Sequence, residues 1–331
     1  MELKRDQLCT ALQSLTPGLA SNEIIQQSTH FIFDKDRIYT FNDQIMVAQE
    51  FNTGIKGSIG GQTLLKVLQK IPDETITLEP TDDEIIIRGK NKEIGLKLTP
   101  ASIDIPFSIS NTDWYKLPTK FVEGLKLCII STSRDATKGP LVCIRLKDDQ
   151  LTSCDNYRLT IYQLDTKFEF TFLLPRTAAE HLIRYSPTLF SSTAEWLHFM
   201  NEEKTVFSCR SVADNYPDIG QLLDFKGEWV KFPSGFKDAI ERAGLLSTAE
   251  FDYERKVQLT LSDGEIECKG EGEDGWFRET NELQYQGDTK SFNIHPTYLG
   301  EILSHISKVR LGDDKLLFRG KDFQHVIALA D

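Results

Sequence analysis

At 331 residues, with 40% apolar and 27% charged side chains, the chain has the profile of an ordinary globular protein, long enough for two or three domains. Its net charge of −12, from 50 acidic against 38 basic residues, excludes a protein that grips nucleic acid over its whole surface, because phosphate binding needs Lys and Arg. No apolar run approaches the roughly 20 residues that cross a bilayer. The start, Met1-Glu-Leu-Lys-Arg5, lacks the apolar core of a signal peptide, and the six cysteines show no paired spacing, so a reducing cytoplasm is the expected location and no membrane partner is expected.

In chain order, apolar residues recur at helical spacing in six short segments. They start at Arg5 (RDQLCTALQSL), Gly61 (GQTLLKVLQKI), Thr119 (TKFVEGLKLCII), Arg176 (RTAAEHLIRYS), Pro233 (PSGFKDAIERAGLLS) and Pro296 (PTYLGEILSHIS). Successive starts lie 56, 58, 57, 57 and 63 residues apart, which marks an internal repeat. Pro118, Pro175, Pro233 and Pro296 stand at or just before the last four starts, where a missing N–H costs nothing. Between the helices the period changes to two, as in Thr75–Glu79, Glu84–Arg88, Val142–Leu146, Val206–Cys209 and Val257–Leu261. Turn signals stand at Lys147–Gln150, Ser262–Gly264 and Gly312–Asp314. Each repeat therefore reads as one helix and about four strands, and two repeats make a domain. The expectation is an α+β chain of three tandem domains, residues 1–110, 111–225 and 226–331, each with two helices packed on antiparallel sheets, with joints around Pro106–Asp113 and Leu222–Gly227.

Basic residues gather on the helical segments: Lys4 and Arg5, Lys66 and Lys70, Lys120 and Lys126, Arg176 and Arg184, Lys237 and Arg242. With their acidic neighbours counted, and with Lys308 assigned to the sixth helix, the six segments sum to +5 and the rest of the chain to −17. Helices that all faced one way would attract phosphates without reading sequence; the competing reading is ordinary solvated helix faces. A second asymmetry pairs a basic stretch with an acidic one. Residues 85–97 hold Arg88, Lys90, Lys92 and Lys97 against Glu93, whereas residues 265–279 hold Glu265, Glu267, Glu271, Glu273, Asp274 and Glu279 against Lys269 and Arg278. Attraction between them in different chains, head to tail and made twice, closes a two-fold ring.

Catalytic and cofactor motifs are missing or fail on context. Gly270-Glu-Gly272-Glu-Asp-Gly275 has the letters of a dinucleotide fingerprint, but no helical pattern follows and its carboxylates would repel a pyrophosphate; it reads as a hairpin loop. Histidine spacing does not suit a metal, no Cys-x-x-Cys pair exists, and Pro80–Glu84 reads as a turn between strands. No cofactor, metal or enzymatic activity is expected. A divergent catalytic site around Asp155, Tyr157 and Arg158 is the rival of another class.

Four stretches carry a resemblance. Ser153-Cys-Asp-Asn-Tyr-Arg-Leu159, Asn215-Tyr-Pro-Asp218, Ala239–Ser247 and His325–Asp331, in that order and spacing, resemble stretches of the bacterial sliding clamp, the beta subunit of DNA polymerase III. The resemblance implies a DNA clamp fold in which two chains close a six-domain ring around duplex DNA. It also implies a processivity factor that tethers the replicative polymerase, is opened by an ATP-dependent clamp loader, and receives short peptides in an apolar pocket. By position the pocket would use Asn156, Tyr157, Arg158 and Leu159, then Pro217, Gln221 and Leu222, then Val326, Ile327, Ala328 and Leu329. The ring joint would set Ile94 and Leu96, beside Arg88, Lys90 and Lys92, against Leu245 and Leu246, beside Glu271 and Glu273. Where the family has Gly-His the chain has Asn156-Tyr157, and where it has Met-Pro-Met the chain has Ala328-Leu329-Ala330. The lost methionines remove adaptable surface, which suits a different peptide, such as that of a phage-encoded polymerase. The nearer alternative is a monomeric relative acting as an accessory or decoy for the same peptides.

Overall fold

The structure, a computed structural model, describes residues 1–103, 105, 113–223 and 226–330, and not the side chain of Gln221. Most of the first expected joint, Asp224 and Phe225 of the second, and the terminal Asp331 lie outside the described residues.

All six helical segments are helices. The first third of the chain runs β1 (Glu2–Lys4), α1 (Arg5–Leu15), β2 (His30–Asp34), β3 (Arg37–Phe41), β4 (Ile45–Glu50), β5 (Lys56–Gly60), α2 (Gly61–Lys70), β6 (Thr75–Pro80), β7 (Glu84–Gly89) and β8 (Lys92–Lys97). The middle runs β9 (Tyr115–Lys116), α3 (Phe121–Cys128), β10 (Cys143–Cys154), β11 (Arg158–Pro175), α4 (Arg176–Tyr185), β12 (Leu189–Ser192), β13 (Trp196–Met200) and β14 (Val206–Arg210). The last third runs β15 (Glu228–Lys231), α5 (Phe236–Leu246), β16 (Val257–Ser262), β17 (Glu265–Gly272), β18 (Gly275–Glu282), β19 (Lys290–Ile294), α6 (Pro296–Leu303), β20 (Lys308–Leu311), β21 (Lys315–Arg319) and β22 (Phe323–Ala328).

Three local expectations need correcting. The fifth helix begins at Phe236, because Pro233–Gly235 form a turn that Gly235 closes at φ 78°. Lys147–Gln150 is not a turn between strands: it lies inside β10, where the register shifts on either side of Asp148, itself at φ 55°, so the turn-like letters mark a bulge. Lys4 ends β1, Lys308 opens β20, and Lys120 stands with Thr119 in the turn before α3, so none of the three belongs to a helix.

The chain forms two compact units, Met1–Val122 with Thr177–Val212, and Glu123–Arg176 with Ala213–Asp331. In the first, one sheet has the order β1-β6-β7-β8 and the other β5-β2-β3-β4-β14-β13-β12-β9, with β4 and β14 antiparallel at Met46↔Ser208 and Val47↔Phe207. In the second, one sheet has the order β18-β17-β16-β19 and the other β10-β11-β22-β21-β20-β15, with β11 and β22 antiparallel at Leu159↔Val326 and Arg158↔Ile327. Its main core packs Phe236, Ala239, Ile240 and Ala243 of α5 and Leu299 and Ile302 of α6 against strands of both sheets, among them Val257, Leu259, Val309, Phe318 and Ile327. Burying side chains of this size contributes about 1.5–3 kcal/mol each.

The same capping device recurs along the chain. Helix C-termini leave carbonyls without amide partners, and an arginine supplies donors to three of them. Arg5 donates to the Ile71 carbonyl after α2 (2.5 Å), Arg176 to those of Ile129 and Thr132 after α3 (2.6 Å each), and Arg255 to those of Gly244 and Ser247 at the end of α5 (2.5 and 2.9 Å).

Candidate functional site

Strand alternation divides the expected pocket residues between two faces of the six-stranded sheet. Leu159 sits opposite Val326, and Val326 opposite Leu317; Cys154 faces Leu159 from β10. These four, with Ile219, form one buried cluster, and Leu141, Ile161, Tyr216 and Leu223 pack on it partly exposed. The cluster lies on the face turned away from the main core. A short 3₁₀ turn, Gly220–Leu223, covers one side of it, and Leu222 is 46% exposed there. Tyr216 is fixed over the cluster: its hydroxyl accepts from the Cys154 amide at 2.8 Å, and the Arg145 guanidinium stands 5.1 Å from its ring. Burial pushes the Tyr216 hydroxyl and the Cys154 thiol above their ordinary ranges, so both stay protonated. The partly exposed Leu141, Ile161, Tyr216 and Leu223 over this cluster make an apolar patch with the chemistry to hold an aliphatic or aromatic anchor.

Arg158 and Ile327 stand opposite each other on the other face of the sheet, and Arg158 lines a cleft there with Asn156, Tyr157 and Leu141, the last of which also packs on the cluster. Ile327 is fully buried in the main core. Arg158 donates from Nε and Nη2 to Asp155 (3.0 and 2.9 Å) and from Nη1 to Glu301 on α6 (2.5 Å), and its guanidinium lies 4.0 Å from the Tyr298 ring centroid. Asp155 also accepts from the amides of Tyr157 and Arg158, holding the β10–β11 turn. Asn156 and Tyr157 are exposed in that turn and line a cleft of about 610 Å³ with Leu141, Asp252, Tyr298 and Glu301. Ala328 is exposed, its amide bound to the Tyr157 carbonyl at 2.8 Å, while Leu329 is half-buried with its amide on the Asp314 carbonyl at 2.9 Å. Sequence reasoning missed Cys154, Ile219, Leu223, Leu317 and Tyr216. The apolar run Leu316-Leu317-Phe318 between Lys315 and Arg319 is the signal that could have found Leu317, because a run without alternation is buried on both faces.

Beneath the same strands, Thr160 and Ser131 approach Nδ1 of His325 at 2.8 and 3.3 Å. Burial lowers the His325 pKa to about 3 and keeps the ring neutral. All three residues are fully buried, which leaves no room for a substrate. Among the described residues no group of His, Cys, Asp and Glu could hold a metal ion, and no helix is long and apolar enough to cross a membrane.

The ten cations assigned to the helices split evenly. Lys4, Lys66, Lys70, Lys126 and Arg184 are exposed and form no ion pair among the described residues. Arg5 and Arg176 cap helices as described, and Arg5 also pairs with Asp6 at 2.6 Å. Lys237 pairs with Glu241 at 3.5 Å, Arg242 grips Glu279 with a 2.7 Å contact, and Lys120 is half-buried.

The expected joint residues lie on edge strands. Ile94 and Leu96 are half-buried on β8, the last strand of its sheet. Leu245 is 78% exposed at the end of α5, beside a half-buried Leu246, and β18 is an edge of its own sheet. Part of the expected charge is satisfied within the chain: Arg88 pairs with Glu79 (3.0 Å) and Glu93 (2.5 Å), Lys92 with Asp73 (2.9 Å), and Glu271 with Lys269. Hydrogen bonding to Lys92 holds the Asp73 carboxyl below its ordinary range. Lys90 and Glu273 are exposed.

No protein-family model and no curated protein matches the sequence. Solved structures do match. The DNA polymerase sliding clamp of Bacillus subtilis superposes with a TM-score of 0.85 at 17% identity, covering 100% of this chain and 98% of that one. The Bartonella birtlesii sliding clamp bound to griselimycin gives 0.86 at 16% identity, with coverage of 100% and 99%. The DNA polymerase III beta subunit of Thermotoga maritima gives 0.84 at 14%, with coverage of 100% and 98%. Throughout its described length, the chain has the fold of the bacterial DNA polymerase III beta sliding clamps.

Proposed function

We propose that the chain is a sliding clamp, a non-enzymatic processivity factor whose two copies close around duplex DNA and tether a replicative polymerase. The observation that carries this reading is the pattern of sheet edges. Read as three tandem domains, residues 1–110, 111–225 and 226–331, the chain joins the first to the second through β4 and β14, and the second to the third through β11 and β22. Each joint is an antiparallel strand pair that makes one sheet out of two. The third joint has no partner among the described strands: β8 ends one four-stranded sheet and β18 another. An exposed edge strand is a template for another chain, and pairing β8 of one copy with β18 of a second, made twice, completes a closed two-fold assembly. Ile94 and Leu96 would meet the Leu245 and Leu246 end of α5 across that joint.

In this reading Lys4, Lys66, Lys70, Lys126 and Arg184 supply weak phosphate contacts that do not read sequence, so the ring can slide. The apolar face around Leu159, Val326 and Leu317 receives the anchors of partner peptides, from a polymerase and from the ATP-dependent loader that opens the ring. Tethering turns polymerase rebinding into an intramolecular event. A cytoplasmic location follows from the work on DNA.

The test is retention on DNA. The protein is expected at a solution mass of about 75 kDa, twice the 37.7 kDa chain. Once loaded on nicked circular DNA, it is expected to remain bound through high-salt gel filtration and to fall off when the circle is linearised. Loss from circular and linear DNA at the same rate would exclude topological binding. The monomeric peptide-binding reading is favoured by one observation: half of the cations assigned to the helices are committed to carbonyls, carboxylates or a half-buried site. A mass of one chain at all concentrations, with peptide binding intact, would select it.

A further inference from the structure

The row that holds the apolar cluster continues past Leu317. In register across the sheet it runs Cys154, Leu159, Val326, Leu317, Arg310, Trp229, so an apolar stretch passes into a cation and then an indole that is 40% exposed. The Lys308 ammonium stands 5.2 Å and the Arg310 guanidinium 6.0 Å from the Trp229 ring centroid. Alternation puts Lys231, Lys308, Lys315 and Arg319 on this same face. Burial agrees, because the intervening Val230, Val309, Leu316 and Phe318 point into the core. The outward positions of β15, β20 and β21 therefore carry five cations and no carboxylate. In a chain of net charge −12 the strip is a local excess of positive charge. The one carboxylate within these strands, Glu228 at the start of β15, alternates to the other face and pairs with Lys290 at 2.6 Å, while Asp313, Asp314 and Asp322 stand in turns at the strand ends.

We propose that this strip receives an acidic segment of the same partner peptide whose apolar anchor sits over Leu159, Val326 and Leu317. The inference rests on reading that apolar face as the peptide site. Strands in a sheet lie about 4.8 Å apart, so Lys308 and Lys231 are roughly 10–15 Å from the anchor, and an extended peptide covers that distance in about three to four residues. Aspartates or glutamates at that spacing, on one side of the anchor, would lie over Lys308, Arg310 and Lys231. Charge complementarity and continuity with the apolar face favour a peptide over nucleic acid, which has a phosphate backbone but no aliphatic anchor. Exposed pairs of this kind set partner choice more than they add affinity.

Fluorescence anisotropy on the full-length protein tests this with labelled peptides that share one Leu-Phe anchor. They differ in a short flank of aspartates before the anchor, the same flank after it, or asparagines in its place. One of the two acidic peptides is expected to bind about five-fold tighter than the asparagine peptide at low salt, with the gap closing at high salt. In Lys231→Gln/Lys308→Gln the ratio is expected to fall to about one; the salt dependence of the unaltered protein gives the same information should that variant fold poorly. Equal binding of all three peptides would overturn the strip while leaving the apolar site standing. Binding of none would remove the site and the strip together. Displacement of the acidic peptide by a single-stranded oligothymidine, with binding sensitive to Lys308→Gln, would reassign the strip to nucleic acid.

Discussion

Arg158 carries more interactions than its expected place in a pocket wall required. By resemblance it belongs to a pocket wall; in the structure it lines the cleft beside Asn156 and Tyr157 and is bound to Asp155, Glu301 and the Tyr298 ring, with 10% of its side chain exposed. It ties the β10–β11 turn to α6, and so holds the strand that presents Leu159 to the opposite face. Removing one partner of a mostly buried, hydrogen-bonded pair is costly because the other charges are left behind. Arg158→Ala is expected to lower stability by about 2–3 kcal/mol, read as an earlier urea midpoint of the second unit. Arg158→Lys should recover less than half of this, since an ammonium cannot make the forked contact with Asp155. An unchanged midpoint in both variants would mean that the network is not formed in solution.

The two most buried histidines make stability depend on pH. Burial lowers His325 to about 3 and His198 to about 4, below the ordinary value near 6.5. Their folded values are depressed, so above pH 6.5 both states are neutral and nothing is lost. As pH falls below 6.5 the unfolded chain takes up protons that the native rings refuse, and stability drops toward the folded values. Between pH 6.5 and 5 each ring accounts for about 2 kcal/mol. Urea midpoints measured at both pH values should therefore converge in His325→Gln relative to the unaltered protein, and identical pH slopes in the two proteins would contradict the buried neutral ring.

At the scale of elements, the glycines of Gly270–Gly275 have a packing explanation. A Cβ on Gly270 would meet the Ala243 carbonyl oxygen at 2.0 Å, and one on Gly272 the Leu246 carbonyl oxygen at 2.4 Å; Gly275 takes φ 141° at the hairpin turn. The fingerprint-like spacing arises because α5 lies directly on β17, which also supports reading it as a hairpin. Gly270→Ala is expected to cost about 1–3 kcal/mol through backbone displacement. Gly300→Ala in α6, where nothing lies within 4 Å of the new Cβ, should instead stabilise by up to about 1 kcal/mol. Thermal unfolding of the two variants should shift in opposite directions, and equal shifts would refute the close approach of α5.

Elements were the most legible level of the sequence. Six helices followed from apolar spacing because each buries one stripe, as in Leu8, Ala11, Leu12 and Leu15 of α1. Their ends were less legible where turn residues precede the first turn, as at Pro233–Gly235. The bulge at Asp148 was read as a turn because both use the same residue types. The proposed peptide-binding face was legible only in part. Leu159 and Val326 could be named by resemblance, but strand pairing decides which residues stand opposite, and no local pattern states that Leu317 on β21 completes the cluster or that Arg158 turns toward α6. The ion pairs of Arg88 and Arg242 depend on cross-strand or helix-to-strand neighbours in the same way, and these make the charge available for partners smaller than a count of letters suggests.

For the whole molecule, the decisive feature is which edges are left open. Among the described edge strands of six or more residues, β8 and β18 are those without a buried side chain; β10, the other long edge, buries several. Their inward positions, Ile94 and Leu96 on one and Phe277 on the other, are only half-buried, as the proposed seam with a second copy requires. A new charge at such a seam must be desolvated when the strands pair, so its cost falls on assembly and little on the folded chain, where Ile94 and Leu96 already face solvent in part. Ile94→Glu/Leu96→Lys is therefore expected to move the protein from two-chain to one-chain mass in sedimentation equilibrium and to abolish retention on circular DNA. The urea midpoint of the monomer should change by less than about 1 kcal/mol, and peptide binding, which uses the other unit, should persist. A double variant that stays at two-chain mass and still holds circular DNA would place the joint elsewhere and refute the pairing of β8 with β18.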